Sequence, residues 1–166
     1  MSYRTFMPKY AQDVMAMGAS GLGILMAAPG VGGLISSLTT ASLGDFQGKG
    51  RLLTFAGIAF GASLILFANT PYLVPVLLLL IVVGAAGNAC MVSTNCLLQT
   101  HAEERLRGRV MSVYMMTWGL MPLGTVPSGA LADRTSVSLV LTLQGALLAA
   151  VFVGVAAFWP RLRRLE

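Results

Sequence analysis

The chain has 166 residues, of which 56% are hydrophobic and 10% charged, far below the roughly 25% charged that a soluble domain carries. With a mean hydropathy of +0.78, this excludes a soluble enzyme or binding module and marks an integral membrane protein. The net charge of +5 implies no nucleic-acid partner, because the basic residues flank apolar spans and form no aromatic-interleaved patch.

The charges gather in short clusters and leave five uncharged stretches: about Val14 to Gly44, Leu52 to Ala68, Tyr72 to Thr100, Val110 to Ala132 and Val137 to Trp159. A helix of about 20 residues crosses the hydrocarbon core. All five are long enough, or nearly so, and the expected fold is all-α, a polytopic bundle of five transmembrane helices filling residues 1–166.

The residues up to Asp13 read as an extracellular connection, with Pro8 disfavouring helix and Asp13 placed to cap the helix that follows. No compact apolar core with a small-residue cleavage site is present there, so a secretory signal peptide is set aside. The first span is rich in glycine, with Pro29 in its middle and Ser36, Ser37, Thr39 and Thr40 near its end. Small residues let membrane helices approach closely. Its Gly-x-Gly pairs follow no strand and carry no nucleotide-loop meaning. Gly57-Ile-Ala-Phe-Gly61 in the second span is the small-xxx-small pattern of tight helix crossings.

The third span is apolar from Val76 to Val83 and then turns polar. Asn88, Val92, Asn95 and Gln99 recur at four, three and four residues, one stripe of a helix. Amides in hydrocarbon need partners, so the stripe faces other helices or a watery cavity. Cavity lining and interhelical hydrogen bonding fit it equally. Cys90 and Cys96 lie six residues apart on one helix and cannot pair. His101, beside Glu103 and Glu104, lacks zinc-ligand spacing and reads as a solvated loop histidine; no metal or cofactor is expected.

The fourth stretch carries Gly119, Pro122, Gly124, Pro127 and Gly129, breaks that a buried membrane helix tolerates where neighbours satisfy the freed carbonyls. Tyr114 and Trp118 share a face four residues apart, for packing or for ligand. The fifth stretch has Gln144 as its strongly polar residue, then Trp159 in the interfacial belt and the anchoring Arg161, Arg163 and Arg164.

Lys and Arg divide unevenly between the two ends of these spans. Lys49, Arg51, Arg105, Arg107, Arg109, Arg161, Arg163 and Arg164 fall on one side, and Arg4, Lys9 and Arg134 on the other. That bias places the first group, and the C-terminus, in the cytoplasm.

The first span closes with Ala41-Ser-Leu-Gly-Asp45 and the fourth with Gly129-Ala-Leu-Ala-Asp133, each followed by a basic residue and one more apolar span. Asp45 falls inside and Asp133 outside, so the two copies run in opposite directions, the inverted repeat of secondary transporters. The second copy has three spans and the first two, so a helix is expected to precede Asp13.

These residues resemble the C-terminal half of the major facilitator superfamily. Leu43, Gly44, Asp45, Gly48, Lys49 and Arg51 match the family's signature loop, with departures at Ala41, Phe46 and Gly50. The stretch from Arg107 to Tyr114, then Pro122-Leu-Gly124 and Gly129 to Asp133, is similar to the branch holding the enterobactin exporter and drug-efflux permeases, and the opening Pro8 to Asp13 is similar to that branch's connection between helices seven and eight. The resemblance implies helices eight to twelve of twelve. It implies seven further helices, a bacterial inner-membrane location and a transporter, not an enzyme, that exports a small siderophore- or drug-like molecule by alternating access.

On that reading Asn88, Asn95, Gln99, Tyr114 and Trp118 are candidate substrate-cavity residues. Asp45, Lys49, Arg51, Arg107 and Arg109 are candidate cytoplasmic gating residues, with positive-inside anchoring as the alternative. No ionisable side chain lies within the spans, so a coupling carboxylate is expected elsewhere in the transporter. No catalytic residue is expected, since a membrane-embedded enzyme would need a nucleophile, a metal cluster or paired carboxylates in the spans. A non-transporting membrane subunit or assembly protein is the competing class.

Overall fold

The computed structural model describes residues 3–13, 19–42 and 48–158. Among them the regular elements are helices: α1 (Tyr3–Asp13), α2 (Ala19–Ser42), α3 (Lys49–Ala68), α4 (Leu73–His101), α5 (Arg107–Gly119), α6 (Met121–Arg134) and α7 (Val137–Phe158). The chain is an all-α, polytopic membrane bundle. Among the described residues four stretches are long and apolar enough to cross a bilayer: Gly21–Ser42, Gly50–Ala68, Leu73–Thr100 and Val137–Ala157.

The stretch 110–132, expected as one span, is instead two helices with a break at Leu120. Pro122 has no N–H to give the Trp118 carbonyl four residues earlier, and its ring crowds that carbonyl. The chain responds by tightening. The Leu120 N–H bonds to the Thr117 carbonyl at 3.3 Å and the Leu123 N–H to the Leu120 carbonyl at 3.1 Å, three-residue closures in place of four. At 13 and 14 residues, α5 and α6 each fall short of a crossing and together suffice for one.

The opening residues also differ from expectation. They form α1 with Pro8 inside it. Burial explains the tolerance: Phe6, Met7 and Tyr10 are all inside the core, and apolar area removed from water or from headgroups offsets one missing backbone bond. The Tyr10 ring lies 4.5 Å from that of Phe67. Its hydroxyl donates to the Phe67 and Thr70 carbonyls at 3.0 and 2.8 Å, closing the end of α3. Burial pushes the Tyr10 phenol above its ordinary value, so it keeps the proton these bonds need. The Asp13 cap and the start of the first span at Val14 fall at or beyond the edge of the described residues, and α2 is described from Ala19.

Side-chain contacts give the packing order. α2 and α4 run parallel, with Pro29 against Gly84, Gly32 against Ile81 and Gly33 beside Asn88. A Cβ added at Gly32 would fall on the Ile81 carbonyl, and one at Gly84 on the Pro29 carbonyl. Only hydrogen fits at this crossing. α3 and α7 run antiparallel, with Gly57 against Phe152 and Gly61 against Gly145 and Ala149, which places the expected small-xxx-small pair in a contact within the chain. α3 also packs antiparallel to α4, where Phe60 covers Gly87. Asn69 reaches Thr142 of α7 at 3.2 Å, and Gln144 of α7 reaches Ser128 of α6 at 2.9 Å.

Gly32→Ala should therefore cost about 1–3 kcal/mol by overpacking. Gly23, whose added Cβ would meet nothing within 4 Å, should gain up to about 1 kcal/mol as alanine through helix propensity. Thermal unfolding in detergent, followed by circular dichroism, checks the pair; equal midpoints for the two variants would contradict the crossing.

Candidate functional site

Where α2 and α4 touch backbone to backbone they leave a groove beside them, and α5 lies along it. Two cavities occupy the groove. One, of about 320 Å³, is lined on α2 by Pro29, Gly30 and Gly33, on α3 by Phe60, and on α4 by Val83, Gly84, Gly87, Asn88 and Met91, with Trp118 of α5. The other, of about 270 Å³, is lined by Met91, Tyr114, Thr117, Trp118 and Met121. Each lies near the lower end of the roughly 300–1,000 Å³ usual for ligand pockets. Met91 and Trp118 belong to both, so the two are lobes of one groove.

Glycine makes the first lobe. A Cβ added at Gly30 would meet nothing within 4 Å, so the missing side chain leaves open space there. The break at Leu120 makes the second lobe, since Thr117, Trp118 and Met121 flank it. None of the lining residues carries a formal charge.

Of the expected cavity residues, Asn88, Tyr114 and Trp118 line the groove. Asn88 donates to the Gly33 carbonyl at 3.2 Å and to the Ser37 hydroxyl at 2.9 Å. It is a helix-to-helix bond and a cavity wall at once. Asn95 stands behind the wall, donating to the Tyr114 hydroxyl at 3.3 Å and to its own turn at the Met91 carbonyl at 2.9 Å. Gln99 is exposed and outside both lobes. The stripe thus splits, with Asn88 turned to α2 and Asn95 to α5.

Sequence reasoning missed Met91, Pro29, Phe60, Thr117 and Met121. A signal for Met91 was present: it lies three residues after Asn88 and four before Asn95, on the same stripe. Phe60 and Met121 give none, because their place depends on how α3 and the α5–α6 break meet α4.

The gating candidates are less fully placed. Arg51, at the start of α3, and Arg107 and Arg109, at the start of α5, are exposed at one end of the bundle. Asp45 and the side chains of Lys49 and His101 lie outside the described residues. Cys90 and Cys96 are free thiols, and Cys90 points at the Leu53 carbonyl of α3, 3.8 Å away.

Residues 2–166 match the family model described as transmembrane secretion effector, of the major facilitator superfamily. The chain belongs to that family. It is 32% identical over 163 residues to the multidrug efflux pump Tap of Mycolicibacterium fortuitum, an alignment covering 96% of this chain and 38% of that protein. The corresponding pump of Mycobacterium tuberculosis strain H37Rv is 31% identical over 161 residues, 96% of this chain and 38% of the pump. The staphyloferrin A transporter of Staphylococcus aureus is 23% identical over 146 residues, 87% of this chain and 36% of that protein. The chain therefore spans a little over a third of the length of the curated relatives it matches. No solved structure matches it with significance. Membership places the chain in a family of multi-pass membrane transporters.

Asn88→Ala should destabilise the chain by about 0.6–2 kcal/mol, the range of interhelical polar bonds in membranes, whereas Gln99→Ala should stay within about 0.5 kcal/mol of the parent. Unfolding midpoints in detergent compare them. A larger loss at Gln99 would show that the stripe packs as a whole.

Proposed function

We propose that this chain forms part of a secondary active transporter that exports a small siderophore- or drug-like molecule by alternating access. The observation that carries the reading is the uncharged, two-lobed groove at mid-span between α2, α4 and the broken α5–α6 pair. Transporters place substrate sites near the midplane, beside discontinuous helices. The relatives' names, a multidrug efflux pump and a siderophore transporter, support export of a small molecule.

In this reading the bundle is one half of a rocking pair, completed by further helices of the transporter, and the substrate lies against Asn88, Tyr114 and Trp118 with Asn95 fixing Tyr114. The repeat of α2–α3 in α5–α7 supports it, since the equivalent helices α3 and α7 meet through glycine on both sides. Asp45, Lys49, Arg51, Arg107 and Arg109 form the cytoplasmic latch. In this reading the C-terminus is cytoplasmic, which the basic bias supports, and the membrane is the bacterial inner one.

Energised cells making the transporter that contains residues 1–166 should accumulate less of a fluorescent substrate than cells lacking it. Trp118→Ala should abolish at least about four-fifths of that difference, a loss of roughly 1 kcal/mol of binding, at unchanged membrane abundance. Leu143→Ala, on an exposed face of α7, should leave it intact. Accumulation that does not depend on the transporter would favour the non-transporting subunit.

A further inference from the structure

The groove has a definite chemical preference, which follows from where its hydrogens are already committed. Both N–H groups of the Asn88 amide are given away, to the Gly33 carbonyl and the Ser37 hydroxyl, so this residue has only its carbonyl oxygen left for a ligand. The Thr117 hydroxyl donates to the Tyr114 carbonyl at 2.6 Å and is left with oxygen lone pairs. Tyr114 accepts from Asn95 and keeps one O–H to offer. Two acceptors and two neutral donors, the Tyr114 O–H and the Trp118 indole N–H, therefore line the groove, and no lining side chain is cationic.

An anion here would leave water for lone pairs and two neutral donors, with no cation to balance its charge. Burying an ionised group without a partner costs several kcal/mol. The remaining surface is of the opposite kind. Met91 and Trp118 stand at the junction of the lobes. Thioether and indole both favour a flat aromatic partner, by sulfur contact and by offset stacking.

We infer that the groove between α2, α4 and α5 binds planar aromatic molecules that carry an N–H or O–H donor and no negative charge, the ring held between Met91 and Trp118 and the donor turned to Asn88 or Thr117. This deepens the transporter reading and rests on it only for its place in a transport cycle.

Two dyes with the same anilinonaphthalene skeleton make the test. N-phenyl-1-naphthylamine has the ring and the N–H; 8-anilinonaphthalene-1-sulfonate adds one sulfonate. The chain has two tryptophans, so Trp159→Phe leaves Trp118 as the reporter inside the groove. In phospholipid nanodiscs the neutral dye should quench Trp118 saturably, at a half-saturating concentration at least tenfold below that of the sulfonate. Met91→Lys, which puts a cation at the junction, should reverse the order. A sulfonate that binds as tightly as the neutral dye would overturn the inference, as would quenching by the neutral dye that never saturates, the signature of partition into lipid. An order unchanged in Met91→Lys would also overturn it. Dye selectivity with no export by the assembled transporter would leave the inference standing and remove the transporter reading; export without selectivity would do the reverse.

Discussion

The backbone contact between α2 and α4 is the constraint on which the rest depends. In lipid no hydrophobic force favours one apolar helix over the surrounding chains, so association rests on close packing and polar bonds. Here Gly32 lies against Ile81 and Gly84 against Pro29 with no room for a Cβ. Asn88 adds a polar tie one turn further along. Two helices brought this close cannot fill the space beside their contact, and the groove is the space left over.

The second consequence concerns α5 and α6. α5 buries none of its residues and meets α4 through the Asn95 to Tyr114 bond, while α6 is tied to α7 through Ser128 and Gln144. Between these two ties lies the Leu120 break, where Pro122 removes one backbone bond. Among the described residues this pair is the least packed part of the bundle, held by one tie on each side of its break. Its break lies beside the cavity that Thr117, Trp118 and Met121 line.

Much of this was legible in the chain itself, and particular residues show why. Charge clusters bound the apolar stretches, so α2, α3, α4 and α7 fall close to their expected places. The amides of α4 announced a face that needs partners, because an amide in hydrocarbon cannot go without them. What the sequence left open was which partner each would take. Asn88 and Asn95 share a stripe, since seven residues fall only about 20° short of two full turns. They stand roughly 10 Å apart along the helix, and at those two heights the neighbour is α2 for one and α5 for the other. The misread elements have local causes. Pro8 argues for an extended segment only until Phe6, Met7 and Tyr10 are known to be buried, and Pro122, one of the breaks a buried membrane helix is expected to tolerate, instead divides the stretch into two helices. Both depend on tertiary packing or on a single lost backbone bond, which periodicity does not register.

The central claim is that the polar face of α4 borders a water-accessible groove and is not simply bonded to neighbouring helices or turned to lipid. Single cysteines at Met91, in the groove, and at Val82, exposed on α4 outside both lobes, test it in a Cys90→Ala, Cys96→Ala background. The measurement is the labelling rate of each by a polar maleimide in nanodiscs, since thiolate chemistry needs water. The account predicts labelling at position 91 at least tenfold faster than at position 82. Equal rates, or faster labelling at position 82, would contradict it.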